Sequence, residues 1–208
     1  MSAVPLPPLP PVPGIEDDDV EQGGPNMLDL LDEDHQQLAD LCDRLSLEGT
    51  QRDVEDVLVA TLSRHLSAEE QYLYPTVRRV LPDGAPIAAD EVAADNELLI
   101  ALRRLHVTPA QDEAYRATLQ MVTEHLRRHT HRTADQVFPR LREHCTGNEL
   151  IRLGNRVQIA RGAAPTRPHP NTPATPPLNK LVDPALAVVD KVRDVLTRRT
   201  TWPEDLGR

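Results

Sequence analysis

The 208-residue sequence has few aromatic residues, few cysteines and no long apolar run, and each shortage excludes something. Aromatics make up only 2% of the chain, so any core must be aliphatic. Cys42 and Cys145 lie far apart and form no C-x-x-C pair, which favours a reduced cytosolic setting. No apolar run could span a bilayer, and the N-terminus lacks the pattern of a signal peptide. We therefore expect a cytoplasmic protein.

Basic residues are also scarce relative to acidic ones. The chain has 23 Lys and Arg against 33 Asp and Glu, which makes the formal net charge −10. Because phosphate binding requires a basic surface, this balance argues against nucleic acid as the main partner. It argues equally against docking on an anionic membrane. The acidity is typical of a solvated surface.

The 20 prolines lie mostly near the two ends and divide the chain into three parts. Residues 1–25 are Pro-rich and then acidic, which predicts a disordered tail. Residues 26–146 carry the helical pattern of a single domain. Residues 147–208 are predicted to form a helix at about 148–161, a Pro-rich extended segment, and a weak terminal helix at about 184–198.

The central region carries apolar residues at steps of three and four, which is typical of amphipathic helices. Four helices are predicted, from about residue 26 to 47, 50 to 81, 86 to 106, and 112 to 144. Turn sequences separate them, and no strand pattern is present. Short connections make antiparallel neighbours, so the predicted fold class is all-α, an up-down-up-down four-helix bundle.

Each apolar stripe is interrupted near its middle by a polar residue of a type that binds metals. These are His35, His65 with Glu69, Asp95, and His129. One such residue is usually a satisfied core or boundary residue, but here four helices carry them at matching depth. Burying several unpaired polar groups costs roughly 1–3 kcal/mol each, and a shared metal ion would satisfy them together.

Spacing supports a metal site. His65 and Glu69 lie about one helical turn apart on one face, so both can reach the same ion or neighbouring ions. Imidazole with carboxylate suits iron, manganese or zinc better than calcium or magnesium.

The second and fourth helices also share an arrangement. His65 is followed by Tyr74-Pro75 and His129 by Phe138-Pro139, at the same offsets of nine and ten residues. This repetition indicates that the two helices are copies of one structural unit.

These motifs resemble the hemerythrin-like HHE cation-binding domain. The resemblance rests on Asp34-His35, the run from Arg64-His65 to Tyr74-Pro75, and His129 with Phe138-Pro139, and it covers about residues 27–170. Pro-Thr-Arg-Pro-His-Pro at 165–170 is similar to the tail of actinobacterial members. The resemblance implies a four-helix bundle that holds a non-heme iron site, usually di-iron. In that pattern the second and fourth helices each supply a histidine and a bridging glutamate four residues later.

Carried over by position, four residues match the family ligands and two positions depart. The predicted metal ligands are His35, His65, Glu69, Asp95 and His129. Asp95 stands where the third helix should give a histidine, and it can still bind a hard ion through oxygen. Thr133 stands where the second bridging glutamate should be, and it is a poor ligand. The sequence therefore allows either one or two metal ions in this site.

Three nearby residues offer no simple replacement for the missing carboxylate. Asp135 lies about 200° around the helix from Thr133, so it cannot substitute. His125 lies one turn before His129 and could contribute, although a helix-boundary histidine is the favoured interpretation. His131 should point outward.

The resemblance implies a protein that handles or senses oxygen, peroxide, nitric oxide or iron, with the small molecule bound at open positions on the metal. Because one bridging carboxylate is missing, a peroxide or redox role is favoured over reversible oxygen carriage. The alternative is a metal-free, degenerate helical bundle that acts as a regulatory or protein-interaction module through its Pro-rich tails. A hydrolase is disfavoured, because no G-x-S-x-G or similar nucleophile motif is present.

Overall fold

The computed structural model describes residues 23–47, 52–164, 166–167, 194 and 199–206. The tail predicted over residues 1–25 lies outside the described residues up to residue 22. The Pro-rich segment from residue 168 and the weak helix at 184–198 also lie outside them, except for Asp194. In the described ranges all regular elements are helical, which confirms the predicted all-α class.

Seven α-helices, two π-helical turns and one short 3-10 turn make up the described chain. In order they are α1 (Met27–Leu47), α2 (Arg52–Ala68), a first π turn (Glu69–Leu73), α3 (Tyr74–Val80), α4 (Gly84–Val107), α5 (Glu113–Arg132), a second π turn (Thr133–Val137), α6 (Phe138–His144), α7 (Gly147–Ala163) and the 3-10 turn (Pro203–Asp205).

The two π turns occur at equivalent positions in the second and fourth predicted helices. In the first, the Tyr74 N–H donates to the Glu69 carbonyl, and in the second the Phe138 N–H donates to the Thr133 carbonyl. A proline follows each of these donors. Because proline has no N–H and its ring clashes with the carbonyl four residues back, the regular α-helical hydrogen bonding is interrupted there. The second and the fourth predicted helices therefore each consist of an α-helix, a π turn and a second α-helix.

Four antiparallel arms form the bundle: α1, α2 with α3, α4, and α5 with α6. Helix α1 packs against α2 and α5, while α4 packs against α3 and α5. Helix α7 is a fifth element that packs against α1 and α2, and a capping box between Thr146 and Glu149 begins it. The bundle is therefore closed along one side by a helix outside the predicted four.

The core consists of two apolar clusters, one toward each end of the bundle. One is formed by Leu38, Leu58, Leu102, Leu126 and their neighbours. The other contains Met27, Leu31, Leu73, Val77, Phe138 and Leu141, among others. The polar residues singled out from the sequence lie in the layer between these clusters, because each sits between an apolar residue of one cluster and an apolar residue of the other along its own helix.

Helix α7 makes a close backbone approach to the start of α1 at Gly154. A Cβ atom there would lie 2.0 Å from the Pro25 carbonyl oxygen and 2.9 Å from the Met27 nitrogen. We expect Gly154→Ala to lower the free energy of unfolding by about 1–3 kcal/mol, because backbone cannot move aside as a flexible side chain does. Urea denaturation measures this change.

Gly162→Ala, in the same helix, is the matched control. A Cβ at Gly162 would meet nothing within 4 Å, so alanine there should stabilise the protein by about 0.5–1 kcal/mol. Equal changes at the two positions, whether both losses or both gains, would contradict the close approach at Gly154.

None of the helices in the described ranges combines the length and the apolar character needed to cross a membrane. Cys42 and Cys145 are both buried free thiols. The cytoplasmic location stays a prediction.

Candidate metal centre

Three imidazoles and one carboxylate converge in the layer between the two apolar clusters. His35 comes from α1, His65 from α2, Glu69 from the first residue of the first π turn, and His129 from α5. All four residues are buried. One potential ligand atom from each lies within 4.8 Å of those of the other three. Four of the five predicted ligands are therefore brought together.

The spacing of these atoms suits one metal ion. The His35 Nε2 atom lies 3.1 Å from His65 Nε2 and 3.3 Å from His129 Nε2, and the last two are 3.4 Å apart. The Glu69 oxygens lie 3.4 Å from His65 Nε2 and 3.2 Å from His129 Nε2. Atoms bound at about 2.0–2.2 Å to a single ion are roughly 3.0–3.5 Å from one another. The four side chains could therefore share one ion with little movement.

The outer nitrogens of two histidines face carboxylates. His65 Nδ1 lies 3.1 Å from Asp34 Oδ2, and His129 Nδ1 lies 3.2 Å from Asp95 Oδ1, although the second pair lacks the alignment of a hydrogen bond. A carboxylate at one ring nitrogen holds the proton there and leaves the lone pair of the other nitrogen for a metal. Both rings are therefore oriented with Nε2 toward the shared point.

The aromatic residues of the repeated motif support the site in two different ways. The Phe138 ring stacks on the His35 ring, with centroids 5.9 Å apart and planes inclined by 7°. The Tyr74 hydroxyl instead donates to Asp95 Oδ2 at 2.5 Å and lies 3.1 Å from Glu69 Oε2. One aromatic therefore orients a histidine, and the other connects two carboxylates.

Buried atoms without hydrogen-bond partners gather at this site. Among the described residues they include Glu69 Oε1, His35 Nδ1, Asp95 Oδ1 and His129 Nδ1. Leaving such an atom unpaired costs about 1–3 kcal/mol. Glu69 Oε1 lies 3.4 Å from His65 Nε2 and 4.0 Å from His35 Nε2, so a cation at the common point of the Nε2 atoms would satisfy it. The donor set therefore fits a bound metal ion.

The electrostatics of the centre favour a cation. Burial raises the pKa of Glu69, but the charges of His129 and His65 outweigh burial and hold this pKa at about 2. Burial also lowers the pKa of His129, but Glu69 and Asp95 outweigh it and bring this pKa well above the usual value. Burial, reinforced by His65, lowers the pKa of His35 to about 2. A metal would find an ionised Glu69 and a neutral His35, and would displace the proton of His129.

Asp95, the fifth predicted ligand, lies on the far side of the His129 ring from the point that the Nε2 atoms share. Its two oxygens face the His129 ring and the Tyr74 hydroxyl, and it is not a member of the four-residue group. The structure thus places this carboxylate behind a candidate ligand. Sequence reasoning did not find the roles of Asp34 and Tyr74, although both belong to the quoted motifs.

Thr133 directs its hydroxyl away from the centre. Its Oγ1 donates to the carbonyl oxygens of His129 at 3.0 Å and Thr130 at 3.1 Å, as threonines inside helices commonly do. His125 is half-buried, and the exposed His131 pairs with Asp135. None of these residues joins the four-residue group.

A second group of acidic and imidazole side chains, Glu55, Asp56 and His106, lies where α2 begins and α4 ends. Arg199 Nε donates to Asp56 Oδ1 at 2.8 Å, and the Tyr115 hydroxyl donates to Glu55 Oε2 at 3.0 Å. These contacts already satisfy the carboxylates. The group is therefore a hydrogen-bonded network that attaches the C-terminal segment to α2.

Comparisons with known proteins agree with this fold. The model of the hemerythrin HHE cation binding domain matches residues 26–141, which is more than half of the chain. The protein belongs to this cation-binding family, which confirms the resemblance seen in the sequence. An uncharacterized hemerythrin-like protein of Schizosaccharomyces pombe is 23% identical over 150 residues, 72% of each chain.

A solved structure shows the same fold. The crystal structure of a hemerythrin HHE cation binding domain-containing protein from Mycobacterium kansasii matches with a TM-score of 0.56 and 21% identity. The match covers 66% of this chain and 88% of the other. It supports the bundle architecture.

The Tyr74 hydroxyl is expected to stabilise the centre even without metal. We expect Tyr74→Phe to lower the free energy of unfolding of the metal-free protein by about 1–3 kcal/mol, because Asp95 and Glu69 would lose a buried donor. Urea denaturation measures the change. Tyr72→Phe, at the partly buried tyrosine two residues earlier, is the comparison. Native stability of Tyr74→Phe would show that the Tyr74 hydroxyl does not have this role.

Proposed function

We propose that this protein binds one non-heme iron ion through His35, His65, Glu69 and His129, with Asp95 acting behind His129. The observation that carries the proposal is the convergence of three Nε2 atoms, 3.1–3.4 Å apart, beside a buried glutamate. This donor set suits iron, manganese or zinc, and the family resemblance favours iron among them.

We further propose that the bound ion handles or senses a small molecule, namely oxygen, peroxide or nitric oxide. Four protein ligands would leave positions open on an iron ion, which supplies redox chemistry and Lewis acidity there. Thr133 contributes no second bridging carboxylate, so a peroxide or redox role is preferred to reversible oxygen carriage.

The surrounding residues suit such chemistry. Burial, reinforced by Asp95, raises the pKa of Tyr74 well above its usual value, so its hydroxyl stays protonated. The oxygen of this protonated hydroxyl lies 3.1 Å from Glu69 Oε2, beside a candidate ligand. The apolar clusters on both sides exclude bulk water from this proton and from the candidate ligands.

The test is metal content per chain after anaerobic loading with ferrous iron and desalting, with optical spectra before and after oxygen or peroxide. About one iron per native chain is expected, with only background in a His65→Ala, His129→Ala variant. A His125→Ala, His131→Ala variant is the matched control, because it removes two imidazoles outside the group and should load like the native chain.

Each other outcome points to a specific alternative. About two irons with a near-ultraviolet oxo-bridge band would mean that a di-iron centre forms despite Thr133. Equal background in the native chain and in the His65→Ala, His129→Ala variant would refute metal binding. The metal-free interaction module would then be the better description.

A further inference from the structure

Helix α7 lies beyond residues 26–141, yet one of its side chains contacts a residue that lies directly against a candidate metal ligand. Arg161 Nη2 donates to Asp34 Oδ2 at 2.5 Å and to the Leu30 carbonyl oxygen at 2.7 Å. The same Asp34 oxygen lies 3.1 Å from His65 Nδ1. A continuous series of contacts therefore runs from α7 through Asp34 to a candidate ligand.

We propose that Arg161 is a positioning residue for this centre: it holds Asp34 against His65 and so sets the direction of His65 Nε2. This inference rests on the proposed metal-binding function. A charge-assisted hydrogen bond is short and about twice as strong as a neutral one, so it can fix a carboxylate in one orientation. The side chains of Arg161 and Asp34 are only 18% and 12% exposed, so water screens their attraction little.

A cavity beside Asp34 explains why such a restraint is needed. It has a volume of about 240 Å³, and residues from α1, α2, α7 and the C-terminal segment line it. Asp34 and Arg161 both face this cavity. An ionised carboxylate gains hydration when it turns toward water, so Asp34 has both the room and the tendency to leave His65. Arg161 opposes this rotation.

The other arginine that lines the cavity is already engaged. Arg64 Nη1 donates to the Thr201 carbonyl oxygen at 2.7 Å, and its guanidinium carbon lies 3.8 Å from the centre of the Trp202 ring. No ion pair joins Arg64 to Asp34 among the described residues, whereas one joins Arg161 to Asp34. The restraint on Asp34 is therefore assigned to α7.

The experiment uses the full-length protein loaded with ferrous iron and measures the rate of iron release to a chelator. We expect Arg161→Gln to release iron about tenfold faster, the lower end of the effect typical of residues behind a ligand. Arg161→Lys keeps one charged donor and should fall between. Arg142→Gln is the matched control, because Arg142 pairs with Asp29 of the same helix α1 at 3.1 Å, away from the centre.

Loading with Co²⁺ provides a second readout, because its visible bands report ligand geometry. We expect Arg161→Gln to shift these bands and Arg142→Gln to leave them unchanged. Bands that are identical in the native protein and in Arg161→Gln would contradict the positioning role.

A double-mutant comparison separates positioning from general loosening of α7. If Arg161 acts through Asp34, the Asp34→Asn variant and the Asp34→Asn, Arg161→Gln variant should release iron at the same rate. Effects that multiply would overturn the inference, and so would native release from Arg161→Gln. A native chain that takes up no iron would overturn the proposed function as well, whereas native uptake with an unchanged Arg161→Gln overturns this inference alone.

Discussion

Replacing the polar layer with side chains that need no metal should abolish iron uptake while leaving the metal-free protein at least as stable. The variant combines His35→Leu, His65→Leu, Glu69→Met, Asp95→Asn and His129→Leu. Buried ion pairs replaced together by apolar groups of similar volume are often neutral or stabilising by about 1–4 kcal/mol. Asparagine at position 95 keeps an acceptor for the Tyr74 hydroxyl.

Metal content and urea denaturation without metal measure the two parts of this result. The single variant His129→Leu is the contrast, because it removes the histidine nearest to the buried Glu69 charge and should cost about 3–5 kcal/mol. If the five-fold variant instead loses more than about 2 kcal/mol, the polar layer is satisfied by its own contacts. That outcome would contradict this prediction.

Thr133→Glu is expected to change the number of metal ions that the chain holds. Position 133 follows His129 as Glu69 follows His65, and both begin a π turn. Thr133 is completely buried. A glutamate there should cost several kcal/mol without metal, because an uncompensated carboxylate would be buried. With iron we expect this loss to be recovered and the content to rise from about one to about two ions per chain.

Iron analysis and thermal unfolding with and without metal test this expectation. Thr133→Gln is the control, since it has the size of glutamate without the charge, and it should keep about one iron per chain. A Thr133→Glu protein that still holds one iron would show that the missing carboxylate is not what limits the site.

The helical repeat explains how much of this protein could be predicted from its sequence. Apolar residues at steps of three and four define one face of each helix, and breaks at Pro82-Asp83-Gly84 and Thr108-Pro109 mark the connections. The same periodicity indicated that His35, His65 and His129 share the inner face. Local rules were sufficient for these conclusions, because helix period and turn chemistry act over a few residues.

The π turns are a feature that the local sequence pattern did not predict. Pro75 and Pro139 were visible in the sequence as part of a repeated motif, but periodicity predicted continuous helices through them. Whether a proline ends, kinks or widens a helix depends on how the flanking segments are packed, and here both flanks are held in the bundle.

By itself the sequence determined the all-helical bundle, its turns and the inner-face residues that could bind a metal. Only the tertiary structure decided that Asp95 faces the outer nitrogen of His129, that Tyr74 connects it to Glu69, and that Arg161 reaches Asp34. The reason is physical. The helical repeat shows which face of a helix carries a side chain. Which atoms that side chain contacts is decided by differences of about 1 Å in the packing of segments that are distant in sequence.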